Sequence, residues 1–326
     1  MTRDSGPAVV VEGVEKAFGE TRALAGVTFD VQRAELFGFI GPDGAGKTTL
    51  FRILTTLLVP DRGRARVLGR DVASDLWALR PLVGYMPGRF SLYPDLSVAE
   101  NLRFFASVFG TTVERERAQI APIYDQLAPF ADRRAAALSG GMKQKLALCC
   151  ALVHRPEILF LDEPTTGVDA VSRREFWDLL GQFKAGGMTI VVSTPYMDEA
   201  TRCDRIALIQ HGRLLAIDPP DSVARSFDRP LFAIGAARAS APAAYRYKAL
   251  LALRARAHTR AVYPFGDTLH FADDRDGLPA NQIGRELQAF LAAKGFGEAT
   301  VEQIAPTVED TFIARMASSG GEGTTP

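Results

Sequence analysis

The sequence predicts an α/β protein: a mostly parallel sheet with helices on both faces, followed by a smaller α+β domain. Three observations carry this. Short apolar runs (Leu36 to Ile40, Ile158 to Leu161, Thr189 to Ser193) alternate with longer segments whose apolar residues recur at helical spacing. Runs of that kind read as strands buried on both faces of a parallel sheet. The first run enters Gly41-Pro42-Asp43-Gly44-Ala45-Gly46-Lys47-Thr48, which fits G-x-x-x-x-G-K-[ST] without a gap, and Thr49 to Leu54 can open a helix. Beyond Pro219-Pro220 shorter alternating patterns take over.

The elements follow in order. Val9-Val10-Val11 begins a first strand, and a turn around Gly19-Glu20 leads to a second from Ala23 to Val31. After the glycine-rich loop, Gly63 to Leu68 and Val83 to Met86 read as short strands. Leu96 to Phe109 places Val98, Leu102, Phe105 and Val108 at helical spacing, with Ser97 as its cap. Glu114 to Leu127 and Gly140 to Val153 are further helices, so the stretch from about 87 to 154 reads as a helical subdomain. Ile158 to Leu161 is a strand, Arg173 to Phe183 a helix, and Thr189 to Ser193 a buried strand. Ile206 to Ile209 and Arg213 to Ile217 form a hairpin around His211-Gly212. The first domain therefore spans 8–218. A second, 225–317, reads as strand (Leu231 to Ile234), helix (Pro242 to Ala257), strand (Ala261 to Phe271, interrupted at Gly266-Asp267), helix (Leu278 to Lys294), strand (Thr300 to Ile304) and helix (Val308 to Met316), an order of ferredoxin-like type. The tail 318–326 has the composition of a disordered segment.

Composition bounds the function. The chain has 326 residues, 47% hydrophobic and 23% charged, with zero net charge, so no basic excess points to nucleic acid. No apolar run approaches the roughly 18 residues needed to span a bilayer, and Met1 to Pro7 carries no stretch of signal-peptide type. A cytosolic location is the expectation. Cys149, Cys150 and Cys203 have neither disulfide nor metal spacing and read as reduced core thiols.

The chemistry concentrates in the loop. Its glycines let successive N–H groups point inward at a phosphate, and the helix start adds partial positive charge. Lys47 is expected to reach the β- and γ-phosphates and Thr48 to hold Mg²⁺. Asp162 ends a strand, where ligands bind in open α/β sheets, and is the second candidate for Mg²⁺. Glu163 is the candidate to polarise an attacking water. Leu138-Ser139-Gly140-Gly141 starts a helix with Ser139 as its cap.

Taken together, the phosphate loop, Leu138-Ser139-Gly140-Gly141 and Leu161-Asp162-Glu163-Pro164-Thr165, in this order and spacing, resemble the nucleotide-binding subunits of ABC transporters over about residues 8–218. Leu-Ser-Gly-Gly is that family's signature and separates it from GTPases and kinases. The resemblance implies a RecA-like core with antiparallel β and helical subdomains, and a site for ATP and Mg²⁺. It makes Gly167-Val168-Asp169 the D-loop, with Asp169 in the nucleotide site, and places Phe18 where an aromatic stacks on adenine; a core aromatic is the alternative. It implies head-to-tail pairing, in which Ser139, Gly140 and Gly141 hold the γ-phosphate of a partner's nucleotide while Gly41 to Thr49 hold the chain's own. The implied partners are a membrane permease subunit and a second ABC domain, a heterodimer being favoured and a homodimer possible. The implied location is the inner face of the cell membrane. Met197-Asp198-Glu199-Ala200 and Ala305 to Phe312 look like drug-exporter-type subunits that serve type 2 ABC permeases.

Two family residues are missing. Gly88 stands where the family places Gln, and Pro195 where it places His. Proline offers neither a side-chain donor nor an N–H. The chain's own site is therefore expected to bind MgATP and hydrolyse it slowly, unless Arg89 or Tyr196 substitutes. The competing reading is a nucleotide-gated structural subunit that clamps a competent ABC partner.

Overall fold

The computed structural model describes residues 6–236 and 243–319. Residues 1–5 of the N-terminal stretch, residues 237–242 and positions 320–326 of the expected tail lie outside the described residues. The chain divides into two compact units, one up to Pro220 and one from Asp221.

In the first unit β1 (Val9–Phe18) and β2 (Thr21–Val31) form an antiparallel hairpin. They are followed by β3 (Leu36–Ile40), α1 (Lys47–Leu54), β4 (Arg62–Val67), β5 (Arg70–Asp71), α2 (Leu76–Leu79), β6 (Val83–Met86), α3 (Val98–Val108), α4 (Val113–Leu127), α5 (Gly140–Leu152), β7 (Ile158–Asp162), α6 (Ala170–Ala185), β8 (Thr189–Thr194), β9 (Arg205–Gln210) and β10 (Arg213–Asp218). One six-stranded sheet runs β10-β9-β3-β8-β7-β6, parallel from β9 to β6, with β10 antiparallel at one edge. Every residue of β3, β7 and β8 is buried, as expected for central parallel strands covered on both faces. A second, four-stranded sheet, β2-β1-β4-β5, is antiparallel.

A run of aromatic contacts joins the two sheets. Ring centroids lie 4.9 Å apart for Phe29 and Phe39, 5.9 Å for Phe39 and Phe51, and 5.8 Å for Phe51 and Phe160, each pair edge to face. This seats α1, and with it the glycine-rich loop, between β3 and β7. The helical subdomain is tied down by local polar groups. Ser97 and Glu100 form a capping box at the start of α3. Buried Asn101 accepts from the Tyr93 N–H and donates to the carbonyls of Tyr93, Leu96 and Ser97. The three cysteines are buried and free.

The second unit contains α7 (Pro220–Arg225, which begins one residue before it), β11 (Leu231–Ala236), α8 (Ala243–Arg254), β12 (Thr259–Phe265), β13 (Thr268–Asp273), α9 (Ala280–Ala293), β14 (Ala299–Ile304) and α10 (Val308–Ser319). Its sheet runs β12-β13-β11-β14, antiparallel throughout. The single interrupted strand read from Ala261 to Phe271 is in fact the hairpin β12–β13, turned at Gly266 with φ +54°. Ser318 and Ser319, assigned to the tail by their composition, instead close α10. The stretch Ala305 to Phe312 holds a cap: the Thr307 N–H and hydroxyl both donate to Asp310 at 2.7 Å. Tyr263 and His270 reach the other oxygen of that fully buried carboxylate at 2.8 and 2.6 Å.

Asp273, at the end of β13, accepts from Arg275 and Arg256. Burial opposes its ionisation, but these hydrogen bonds prevail and hold the carboxyl at about 2. A folded value below the ordinary one stabilises the fold above the ordinary carboxylate range. That contribution disappears as pH falls from about 4 through about 2. Asp273→Asn should destabilise the second unit by about 2 kcal/mol at neutral pH, because it removes the charge-assisted hydrogen bonds and leaves Arg256 and Arg275 only Glu286 as counter-charge. It should also flatten the acid dependence of unfolding, measured by denaturant titration between pH 7 and 2.

Candidate nucleotide-binding site

The loop Gly41 to Lys47 joins β3 to α1, and its glycines are dictated by space and by angle. Gly46 has φ +106°, and a Cβ there would lie 2.4 Å from the Ala23 carbonyl oxygen. Lys47 is 3% exposed. Its ammonium donates to the carbonyls of Gly41 and Pro42 at 2.7 and 3.0 Å and lies 3.1 Å from Glu163 Oε1. The loop residues Asp43, Gly44, Ala45, Gly46, Lys47, Thr48 and Thr49 wall one side of a cleft of about 400 Å³, with Thr21 and Glu163 also on its wall. Phe18 is 50% exposed at the end of β1, paired with Thr21 across the hairpin. It is therefore not a core aromatic.

A second cleft, of about 440 Å³, is lined by Thr48, Asp162, Glu163, Gly88 and Arg89, with Arg52 and Tyr85 beside them. Asp162 ends β7, is 2% exposed, and accepts the Ser193 hydroxyl at 2.6 Å. The N–H of Glu163 lies 3.0 Å from the Ser193 carbonyl and 3.1 Å from its hydroxyl, at a backbone φ of +51°. A left-handed glutamate is uncommon and strained; here β8 holds it. Burial, aided by the charge of Asp162, pushes the Tyr85 phenol up to about 12.

Further residues, to which the sequence reading gave no place in the site, line or brace this wall. Arg52 stands four residues after Thr48, one helical turn along the same face, and that spacing was the signal available. Ser193 carried no signal beyond ending a strand. Buried Glu199 accepts from Thr165 and Thr194 at 2.7 and 2.5 Å, bracing the segment that carries Pro195. The Tyr196 ring lies under Arg173, 4.9 Å from centroid to guanidinium carbon.

Ser139, Gly140, Gly141 and Asp169 do not line either cleft. Ser139 caps α5 by accepting from the Met142 N–H at 3.3 Å, and Ser139 and Gly140 are exposed. The leading N–H groups of a helix have no intrahelical partner, so this end is free to meet an anion. Gly141 packs on α6: a Cβ there would lie 2.6 Å from Ser172 Oγ. Asp169 caps α6, accepting from Ser172 and Val171, and the Ser172 N–H is the main cause holding its carboxyl below the usual range.

An oxygen-only donor set of one carboxylate and one hydroxyl suits Mg²⁺, which keeps waters and takes phosphate oxygens rather than an all-protein cage. No group of three or more His, Cys, Asp or Glu side chains placed to hold a metal ion occurs among the described residues.

The ABC transporter family model matches residues 24–166. The chain is 44% identical over 218 residues to the probable multidrug ABC transporter ATP-binding protein YbhF of Escherichia coli (strain K12), which covers 66% of this chain and 38% of YbhF. It thus spans well under half the length of that relative. It is 41% identical over 216 residues to the Nod factor export ATP-binding protein I of Burkholderia orbicola (strain AU 1054), covering 65% of this chain and 71% of the relative. A solved dimeric, post-hydrolysis ATP-binding cassette, MJ0796 bound to ADP and Pi, is 25% identical with a TM-score of 0.58, covering 65% of this chain and 98% of that one. With a phosphate loop, a carboxylate pair and a signature turn on the fold these relatives share, the chain belongs to the family of ABC transporter ATP-binding proteins.

Proposed function

We propose that residues 8–218, with a helical subdomain over about 87–154, form an ATP-binding domain that powers a separate membrane permease in export, and that 225–317 form an accessory domain. The observation that carries this is that Thr48 and Glu163 line both clefts, one with Lys47 and the other with Asp162. Lys47 neutralises phosphate charge, and the amides of Gly44 to Thr48 orient the phosphates. Thr48 and Asp162 hold Mg²⁺, which supplies charge neutralisation on the phosphate oxygens. Glu163 orients water. The names of the relatives, multidrug and Nod factor export, favour export over uptake.

Positions 88 and 195 bring no side-chain donor to these clefts, so the chain's own site turns over slowly. Losing one placed donor typically costs about 10²–10³ in rate, and two losses need not add. Ser139, Gly140 and Gly141 are then best used on a partner's nucleotide, in a heterodimer with a second ABC domain. An apolar cleft of about 490 Å³ shares Tyr85 and Pro87 with the nucleotide wall and is otherwise lined by groups such as Trp77, Phe105 and Phe109. It suits a short apolar helix of the permease, with this chain peripheral on the inner face of the membrane. Among the described residues no helix is long and apolar enough to cross a membrane.

The second reading, a nucleotide-gated clamp without turnover, is favoured by Gly88 and Pro195 and opposed by Glu163. Glu163→Gln separates them. If Glu163 acts as a base, single-turnover hydrolysis at this chain's own site in the assembled complex should fall about a hundredfold. Unchanged turnover would support the clamp.

A further inference from the structure

We infer that Arg89 reads the terminal phosphate at this chain's own loop, so that the site distinguishes a nucleoside triphosphate from a diphosphate although Gly88 and Pro195 offer no side-chain donor. The inference rests on the reading that Lys47 and its loop bind nucleotide, and it deepens that reading. A Cβ on Gly88 would stand 3.0 Å from the Asp162 carbonyl oxygen, so the loop after β6 lies close against the end of β7. That close approach puts the next side chain, Arg89, on the cleft wall with Thr48, Asp162 and Glu163.

Both carboxylates there are already engaged. Glu163 is 3.1 Å from Lys47, and Asp162 takes the Ser193 hydroxyl at 2.6 Å. Arg52, across the same cleft, stands near the Tyr85 phenol and has no carboxylate within ion-pair distance among the described residues. Among the described residues Arg89 has no acidic partner within ion-pair distance. A guanidinium without a carboxylate, beside the residues that would hold the metal and the water, needs an anion with several oxygens. Its planar fork matches a phosphate bidentately. With Lys47 at the β- and γ-phosphates, the γ-phosphate is the group a diphosphate lacks, so the discrimination would fall between tri- and diphosphate. Tyr196 cannot take this part: its ring is held under Arg173 and does not line the cleft.

The test is equilibrium binding of AMP-PNP and of ADP, each with Mg²⁺, to the full-length protein, by competition against a fluorescent ATP analogue. Arg89 is exposed, so its variants should fold. Wild type should prefer AMP-PNP. Arg89→Ala should weaken AMP-PNP by about tenfold or more, the loss expected for a charge-assisted hydrogen bond, and leave ADP unchanged. Arg89→Lys should recover only part, because it keeps the charge and loses the fork. An unchanged AMP-PNP affinity in Arg89→Ala, or an equal loss for ADP, overturns the inference while the loop reading stands. If wild type binds neither nucleotide, or Lys47→Ala binds both as wild type does, the loop reading falls and this inference with it.

Discussion

Lys47→Ala should weaken MgATP binding by about a hundredfold or more, as read by titration with a fluorescent ATP analogue. The lysine is nearly fully buried and gathers three oxygens: two loop carbonyls and Glu163. A hydrogen bond to a charged group contributes about 1.5–3 kcal/mol net, and a phosphate pair engages more than one. Alanine also leaves Glu163 facing the incoming phosphates without its counter-charge. The effect should therefore exceed the loss of a single contact. Binding as tight as wild type would remove Lys47 from the site.

Ser139→Arg should produce an effect of similar size at a different place. Ser139 sits at the exposed start of α5 and lines neither the cleft at Lys47 nor the one at Asp162. Its loss removes the cap on the Met142 N–H and costs about 1 kcal/mol of helix stability, which the fold can absorb. The larger consequence is steric. A bulky cation at that turn blocks closure onto a partner's nucleotide, so turnover at the partner's loop should collapse while this chain's own affinity changes little. Photo-labelling each subunit in the assembled complex reads the two sites separately. Loss of binding at the chain's own Lys47 with normal partner turnover would refute head-to-tail pairing.

The parts legible in the sequence were those fixed by local rules. The phosphate loop declared itself because its glycines answer a local demand, as Gly46 does through its φ and its contact with Ala23. The strands β3, β7 and β8 declared themselves because central parallel strands are apolar on both faces. Ser97 and Ser139 declared themselves as caps. What escaped was set by contacts distant in sequence. Glu199 looked like a subfamily marker beside Met197 and Asp198, and only the fold brings it to Thr165 and Thr194. Arg89 and Tyr196 stood as equals in the sequence; packing under Arg173 separates them. The hairpin β12–β13 read as one interrupted strand because both of its arms are rich in strand-forming residues, and only the pairing across Gly266 divides them. Helix α10 ran past its expected end because small polar residues signal a tail as readily as a last turn.

On the proposed reading the chain binds nucleotide well at its own loop, hydrolyses it slowly, and completes the site of a different partner. The most direct measurement is steady-state ATP turnover of the purified chain alone, at concentrations that permit self-pairing, against turnover in the complex with its permease and a second ABC domain. In a homodimer both sites carry Gly88 and Pro195, so turnover should stay well below about 1 s⁻¹, the lower edge of ordinary enzyme rates. In the complex it should rise by about a hundredfold, with the gain located at the partner's loop. A homodimer turning over at about 1 s⁻¹ or faster would contradict the account.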